Sequence, residues 1–369
     1  MLVLLAIVLA LTLRQPDKVL YPQFWAEDAS IFYVDAERVG VGSLVRPYNG
    51  YWHLFSRVVA LVGTLVPILY LPRLYAAAAL LATTVALAIA IRAGLVHRWP
   101  TRVAVVLIVV LAPLSGELWL TVTNSQWFGA LLLVAMITAP PPASAQARVA
   151  HGAASLVAGL SGPFAMLLWP CAALRAKWYE DGWSAWLLGL FTACTVLTLV
   201  ALLQDPRSGG LGHLPERFAS LWYTARSNKL VGLGAVGGFF FMVLGLVRGL
   251  TGRDWPLVAC SGAGLTITVA TIVTIPSGHL SSRYLFLPWI LGSWTALALG
   301  ERGFRLAWVQ IAVVLVVSLR NFVLPPMQHY DWPKDARCLE AHRACDMRIN
   351  PGWAVGLPGR GALDPPPVP

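Results

Sequence analysis

Charged residues are scarce in this chain. Only 12% of its 369 residues are Asp, Glu, Lys or Arg, whereas 57% are hydrophobic and the mean hydropathy is +0.68. A soluble globular protein has roughly 25% charged residues. One soluble core cannot bury this much apolar surface, so the composition excludes a soluble domain and indicates an integral membrane protein. The 16 Trp and 10 Tyr side chains fit a protein with many membrane–water interfaces.

The motifs of several enzyme classes are also missing. The sequence contains no glycine-rich phosphate loop, no HExxH, no GxSxG, and no evident repeat of 20–50 residues. The net charge of +10 does not indicate a nucleic-acid partner. Most basic residues lie in short loops between apolar segments, where membrane topology and anionic lipid headgroups explain them.

The apolar segments predict an all-α fold, a polytopic transmembrane helix bundle with about eleven spans. The segment 54–70 is predicted to be interfacial or re-entrant, because Arg57 would be costly at mid-membrane. Gly162-Pro163 either breaks one long helix or turns a hairpin. The predicted spans are 1–13, 72–91, 103–120, 126–140, 148–161, 162–174, 184–203, 229–248, 255–275, 284–300 and 306–322.

The first span lacks a basic n-region and a small-residue cleavage site, so it is predicted to be uncleaved rather than a signal peptide. At 13 residues it is short for a bilayer, which leaves a start further upstream open.

The positive-inside rule predicts the orientation of the chain. If 54–70 does not cross, five short basic loops share one side, which is then cytoplasmic together with the N-terminus. The chain is predicted to form a multi-pass transmembrane domain (1–322) of the plasma or inner membrane, with an extracytoplasmic loop (14–71). An amphipathic outer segment (204–228) and an extracytoplasmic C-terminal tail (323–369) complete it. The five loops carry Arg92, Arg98 and Arg102; Arg148; Arg175 and Lys177; Arg248 and Arg253; and Arg302 and Arg305.

The first outer loop contains an acidic pair, Glu27 and Asp28, bracketed by aromatic residues in FWAEDASIFY (24–33). A carboxylate just beyond a span can act as general base on a sugar or lipid hydroxyl. It can also hold a divalent cation against a diphosphate. A solvated acidic turn or a helix N-cap is the alternative without a function.

The stretch that follows, RPYNGYWHLFSR (46–57), mixes aromatic rings, a histidine and two arginines beside an apolar helix. Tyr48 and His53 belong to a surface that can stack a sugar ring, and Arg57 and Arg73 are candidates to bind a phosphate at headgroup level. An aromatic belt with snorkelling arginines is the alternative.

The order of these segments resembles the GT-C superfamily of membrane glycosyltransferases, which includes protein mannosyltransferases and lipid A aminoarabinose transferases. The resemblance implies a lipid-linked sugar donor and an acidic residue in the first outer loop as catalytic base or metal ligand. The matching residues are Glu27 and Asp28. PYNGYWHLFSR, TNSQWF, GLSGPFAMLLWP and SSRYLFLPW are similar to segments of an uncharacterised bacterial multi-pass family of this shape.

Two further outer turns carry polar residues that fit the same site. The later turn contains His279, Arg283 and Tyr284. Arg283 is a candidate to stabilise a leaving phosphate, although it can equally be an interfacial arginine. Glu117 needs either a structural ion pair or a ligand role so close to the bilayer. The earlier turn, SGELWLTVTNSQW, contains Glu117, Asn124, Gln126 and Trp127.

The tail contains Cys338 and Cys345, separated by six residues. An oxidising exterior favours a disulfide, with a metal site that includes His342 and His329, or free thiols, as alternatives. The segment INPGWAVGLP (349–358) is expected to pack back on the outer face. Cys171, Cys194 and Cys260 lie in apolar segments and are expected to be small buried hydrophobes.

Together these features predict an inverting transferase that moves a sugar from a polyprenyl-phosphate donor to an extracytoplasmic glycan, lipid or protein acceptor. Asp28 is the predicted base or metal ligand, with Glu27 as second candidate, and a divalent metal ion remains an open alternative as cofactor. A flippase for a lipid-linked glycan is disfavoured by few mid-span charges and no paired halves. A non-catalytic membrane subunit is the third alternative. The predicted substrate-binding residues are Tyr48, His53, Arg57, Arg73, Glu117, Asn124, Gln126, Trp127, Arg283 and Tyr284.

Overall fold

The structure, a computed structural model, describes residues 2–113, 116–205, 229–274, 282–341 and 343–359. Within these ranges it contains fifteen α-helices and one two-stranded sheet, and the sheet was not predicted. The predicted amphipathic segment 204–228 lies almost wholly outside the described residues, as do His279 and His342. The helices are α1 (Leu2–Arg14), α2 (Asp17–Leu20), α3 (Val34–Val39), α4 (Leu54–Gly63), α5 (Leu71–Ala90), α6 (Trp99–Val110), α7 (Ser125–Thr138), α8 (Ala145–Gly159), α9 (Phe164–Tyr179), α10 (Gly182–Gln204), α11 (Lys229–Gly252), α12 (Trp255–Thr274), α13 (Phe286–Glu301), α14 (Leu306–Arg320) and α15 (Trp332–Glu340).

Four of the described helices are long and apolar enough to cross a bilayer: Ile68–Ala90, Gly182–Gln204, Gly232–Gly252 and Trp255–Val273. They overlap four of the predicted spans. Each provides about the twenty residues that the hydrocarbon core requires. Several shorter apolar helices accompany them. The chain is therefore a helical, membrane-associated protein.

The outer surface of the bundle is apolar. Leu203 of α10, Leu233 and Val236 of α11, and Leu306 and Leu319 of α14 are all well exposed. A water-soluble monomer seldom exposes so many large apolar side chains along neighbouring helices. Lipid can cover such a surface, because apolar side chains contact lipid tails and a helix satisfies its own backbone hydrogen bonds.

The centre of the bundle is formed by α7 and α13, which are apolar on all sides and almost entirely buried. A helix that is hydrophobic all round belongs in the interior. Gly238 of α11 lies against Gly292 of α13, where an added Cβ on Gly292 would come 2.6 Å from the Gly238 Cα. Small residues therefore bring two backbones into contact within one chain.

Helix α6 ends at Val110, well before the end of the predicted span 103–120. Pro113 follows shortly, and the residue before a proline avoids helical backbone angles. The Arg14 side chain donates to the Val110 carbonyl (2.9 Å) and to the Ala112 carbonyl. These bonds satisfy carbonyls that a helix end leaves without partners. The chain is thereby free to form the irregular turn that carries Glu117.

The segment 54–70 consists of α4, a turn at Pro67 and a 3₁₀ turn over Ile68–Tyr70 that leads directly into α5. At ten residues α4 is about 15 Å long, half the thickness of a hydrocarbon core. Further along, the predicted spans 148–161 and 162–174 are two separate helices, α8 and α9, joined by a short turn that contains Gly162-Pro163.

The C-terminal part packs against the first outer loop. Strands β1 (Cys345–Ile349) and β2 (Trp353–Leu357) form an antiparallel hairpin in which Ile349 pairs with Trp353. A disulfide joins Cys338 of α15 to Cys345, with Cα atoms 6.2 Å apart. The two cysteines therefore supply no thiolates for a metal. Cys171, Cys194 and Cys260 are free and buried, as predicted.

Several of the basic loops meet at one end of the bundle. The Glu301 carboxylate accepts from the backbone N–H groups of His97 and Arg98, both at 2.8 Å. Arg302 pairs with Asp254 and donates to the Leu95 carbonyl. The opposite end carries the first outer loop and the C-terminal part.

Candidate functional site

A cavity of about 120 Å³ lies at the end of the bundle that holds the first outer loop. The N-terminal ends of α7, α9 and α13 and the C-terminal end of α12 meet there. On the scale where one water needs roughly 10–15 Å³, the cavity has room for several waters or one small polar ring. Eight of the residues predicted from sequence line it: Glu27, Tyr48, His53, Asn124, Gln126, Trp127, Arg283 and Tyr284.

Glu27 presents its half-buried carboxylate to this cavity. It precedes a π-helix over Asp28–Tyr33, a rare element that is frequent at functional sites. Ala26, just before it, has a φ of +24°. The Ala26 N–H donates to the Asn350 carbonyl at 2.6 Å, and the Asn350 N–H donates to Phe24 at 3.2 Å. The C-terminal hairpin thus holds the backbone beside Glu27.

Asp28 lies behind the wall of the cavity, and its side chain is buried. Its carboxylate accepts from the backbone N–H groups of Thr123 (2.8 Å) and Val122 (3.2 Å) and from the Thr123 hydroxyl. Burial raises the pKa of Asp28 to about 6, against the lowering effect of these hydrogen bonds. Asp28 therefore positions the turn before α7, and Glu27 is the member of the pair that is open to a ligand.

Lys18 is a buried cation near Asp28 that sequence reasoning missed, although it does not line the cavity. Its ammonium donates to the carbonyls of Gly116 (2.7 Å) and Trp119 (2.5 Å), and lies 5.0 Å from the centre of the Trp25 ring. Burial lowers the pKa of Lys18 to about 7, while the charge of Asp28 counteracts that shift. A sequence signal existed, because Lys18 is the first lysine after an apolar span and precedes the acidic loop.

Among the described residues that line the cavity, Arg283 is the one Lys or Arg. Its guanidinium lies 3.4 Å from the Glu117 carboxylate and packs over the Tyr284 ring at 5.2 Å. Glu117 therefore takes the structural ion-pair role, since it contacts Arg283 without lining the cavity. Asn124 donates to the Glu117 carbonyl at 2.9 Å, which ties this turn to α7.

An aromatic wall closes another side of the cavity. The buried His53 ring lies 5.8 Å from the rings of both Tyr48 and Tyr51 and 5.3 Å from Phe32. Burial and the nearby Glu27 charge raise the pKa of Tyr48 to about 12, so its hydroxyl stays protonated. Tyr51, which was not singled out from the sequence, adjoins the predicted Tyr48 and His53.

Left-handed backbone angles at residues other than glycine concentrate around this site. Ala26, Asn49, His53 and Leu120 have φ between +24° and +53°. Such angles cost roughly 1–3 kcal/mol each and persist where the surrounding structure enforces them. Their grouping indicates that the loops around the cavity hold a demanding geometry.

Two predicted phosphate ligands lie away from the cavity. Arg57 is buried, pairs with Asp35 at 2.9 Å and donates to the Trp52 carbonyl. Its charge stabilises the first outer loop from within. Arg73 lies in a separate cleft on the surface, with its guanidinium 5.6 Å from the Tyr70 ring centre. Of the three arginines predicted to bind phosphate, the structure places only Arg283 beside Glu27.

The described residues do not fit a divalent-cation site. Calcium takes six to eight oxygen ligands, and magnesium needs near-octahedral oxygen coordination. Among the described ranges, no group of three or more His, Cys, Asp or Glu side chains can hold a metal ion. Glu27 lines the cavity, whereas the oxygens of Asp28 are occupied by backbone donors.

Fold and cavity together define a class: a helical, membrane-associated protein with a polar, aromatic-walled cavity at one end of its bundle. No protein-family model, curated protein or solved structure matches this chain.

Proposed function

We propose that this protein is a membrane glycosyltransferase of the GT-C type, which transfers a sugar from a polyprenyl-phosphate donor to an extracytoplasmic acceptor. The observation that carries the proposal is the meeting of Glu27, Arg283 and the aromatic wall of Tyr48 and His53 around one cavity. A carboxylate, a cation and flat rings are the groups that such a reaction needs together.

In this proposal Glu27 is the general base. It removes the proton of an acceptor hydroxyl as that oxygen bonds to the anomeric carbon of the donor sugar. The bond from the anomeric carbon to the phosphate oxygen breaks with inversion, and the polyprenyl phosphate leaves with both bonding electrons. Arg283 stabilises the charge on the leaving phosphate, and the proton ends on Glu27.

The site geometry supports different tasks for Glu27 and Asp28. Asp28 holds the turn at Val122–Thr123, and thereby the start of α7, which brings Asn124 and Gln126 to the cavity. Tyr48 and Trp127 provide ring surfaces for a sugar, and Asn124 and Gln126 provide amide groups for its hydroxyls.

The membrane arrangement proposed with this function has about eleven spans, a cytoplasmic N-terminus and an extracytoplasmic C-terminal part. Its support is the separation of the two ends of the bundle. Loops that bear Arg98, Arg253 and Arg302 belong to one end, and the cavity lies at the other.

The flippase alternative receives less support from the structure. A transporter site is expected near the middle of the membrane, between discontinuous helices. The cavity instead lies at helix ends, where extramembrane loops supply Glu27, Tyr48 and His53.

The test is purification in detergent followed by mass spectrometry of co-purifying lipids. Glu27→Gln is compared with wild type and with Glu180→Gln, an exposed acid in the turn before α10. A polyprenyl-phosphate sugar that accumulates only in Glu27→Gln is the expected result, since binding then outlasts the blocked chemistry. The absence of polyprenyl lipid from all three samples would overturn the proposal.

A further inference from the structure

A second cleft opens on the outer surface, separate from the cavity that holds Glu27. Its volume is about 490 Å³. Three chain segments line it: residues 20–23 at the end of α2, residues 69–73 at the start of α5, and residues 329–333 from the C-terminal part. The functional assignment made above uses none of these residues.

The cleft is held in shape by hydrogen bonds among its own walls. Gln23 and Tyr330 bond reciprocally, with the Gln23 amide donating to the Tyr330 carbonyl at 3.1 Å and accepting from the Tyr330 N–H at 3.2 Å. The Trp332 indole donates to the Leu69 carbonyl at 3.0 Å. These bonds connect all three segments, so the cleft is formed before any ligand arrives.

Aromatic rings dominate its surface. Tyr21 and Tyr70 are both more than 40% exposed, although they sit in a rigid cleft. The Tyr21 ring contacts His329, with ring centres 5.3 Å apart, and Trp332 forms a buried wall against Phe24. Flat rings of this kind pack against the C–H faces of a sugar, while tyrosine hydroxyls bond to sugar hydroxyls.

The charges of the cleft favour a neutral or weakly anionic ligand. Arg73 is the one Lys or Arg among the described residues that line it. A site for a phosphate converges several cations or backbone N–H groups on one anion. Within the described ranges, Arg73 has no hydrogen bond or ion pair, and its guanidinium lies over Tyr70. It therefore offers donors to hydroxyl oxygens at the edge of a ring.

The cleft and the Glu27 cavity are neighbours along the chain. Gln23 lines the cleft, and Glu27, four positions further along the chain, lines the cavity. Even a fully extended chain covers at most about 14 Å over four residues. The cavity and the cleft therefore approach within about 14 Å of each other at these two residues.

We infer that this cleft is a carbohydrate-binding site, in which exposed Tyr21 and Tyr70 stack sugar rings and Arg73 bonds to their hydroxyls. Its role as the subsite for the outer sugars of a glycan acceptor rests on the proposed function. The binding of carbohydrate does not, because it depends on the cleft alone.

The test uses the full chain in detergent on an array of bacterial and plant polysaccharide fragments, followed by saturation-transfer NMR with the best-retained saccharide. Tyr21→Ala and Tyr70→Ala remove exposed rings and leave the buried Trp332 intact. Trp99→Ala is the matched control, because Trp99 is an exposed ring at the start of α6, at the other end of the bundle.

The expected result is saccharide binding that weakens about tenfold in each tyrosine variant, as the loss of one stacked ring requires, and is unchanged in Trp99→Ala. Retention of no saccharide by the wild type, or equal retention by all variants, would overturn the inference. Flotation with phosphatidylglycerol vesicles that depends on Tyr21 and Tyr70, without saccharide binding, would overturn it in favour of a lipid headgroup. If the wild type binds saccharide but polyprenyl lipid co-purifies with neither the wild type nor Glu27→Gln, the inference stands and the transferase proposal is overturned.

Discussion

The Asp28 carboxylate accepts the backbone N–H of Thr123 at 2.8 Å, across 95 residues of sequence. Its neighbour Glu27 instead lines the cavity. The two adjacent acids therefore have different environments: Asp28 fixes the start of α7, and Glu27 is open to the cavity. Sites in which neighbouring carboxylates divide their tasks in this way are common in enzymes.

Replacing each acid by its amide separates the two tasks. Glu27→Gln is expected to lower transfer by about 10²–10⁴-fold, the usual contribution of a general base, with no change in thermal stability. Asp28→Asn turns an amide N–H₂ toward a backbone donor, which costs about 1–3 kcal/mol of the free energy of unfolding. Transfer from a polyprenyl donor and thermal unfolding in detergent measure the two effects. An Asp28→Asn protein with full stability and no activity would reverse the assignment.

The pH dependence of stability reports on Asp28. Its pKa is raised by burial from 3.8 to about 6, so the folded state retains a proton that the unfolded state releases. The free energy of unfolding therefore falls as pH rises from about 4 to about 6, by roughly 3 kcal/mol. Thermal unfolding across this range should show the decline in the wild type. The decline should be absent from Asp28→Asn, and its persistence there would assign it to another group.

Arg283 is the cation expected to meet the leaving phosphate. Arg283→Gln should lower kcat by roughly 10²–10³-fold, comparable to the loss of one donor to a developing anion. Arg283→Lys should recover part of that activity, because charge is kept while the planar fork is lost. Arg305→Gln, at an exposed arginine near the other end of the bundle, is the control. Equal activity of Arg283→Gln and Arg305→Gln would exclude a role in the reaction.

Much of the candidate site was predictable because its residues stand in short polar turns between apolar segments. Charge and aromatic content mark such turns, and they indicated Tyr48, Arg283 and Glu27, the last as second candidate after Asp28. Those three residues line the cavity, whereas Asp28 does not. Arg57 and Arg73 look the same by that criterion, since sequence does not show that Asp35 neutralises Arg57 or that Arg73 faces another cleft. Contacts between segments that are distant in sequence determine whether each arginine reaches the cavity.

The fold, too, was predictable where it depends on local sequence and not where it depends on contacts between distant segments. Helices with long apolar stretches were located from composition alone, whereas the end of α6 depends on Arg14, 96 residues away from Val110. The hairpin β1–β2 was missed because its strands are only five residues each and the turn between them, with Pro351 and Gly352, resembles a coil. Its pairing with Phe24 and Ala26 is a tertiary contact that local pattern does not contain.

The disulfide between Cys338 and Cys345 secures the hairpin that holds the backbone before Glu27. A double variant with serine at both positions should lose about 2–3 kcal/mol of the free energy of unfolding, the entropy of a short closed loop. Reductant should lower the melting temperature and activity of the wild type and leave the double variant unchanged. Cys171→Ser, at a buried free cysteine, should respond to reductant like the wild type. A wild type that is insensitive to reductant would show that the hairpin holds without the bond.

Packing at the centre of the bundle is tested by two glycines in different surroundings. Gly292 lies on Gly238, where a Cβ would come within 2.6 Å of backbone atoms. Gly292→Ala must push α11 and α13 apart, and overpacking of this kind costs about 1–3 kcal/mol. Gly189 of α10 has nothing within 4 Å of the same position, so Gly189→Ala should stabilise the protein by about 0.5–1 kcal/mol through helix propensity. Opposite shifts of the melting temperature are therefore expected from the same substitution. If both variants gained stability, the contact of α11 with α13 would not be the close backbone packing described above.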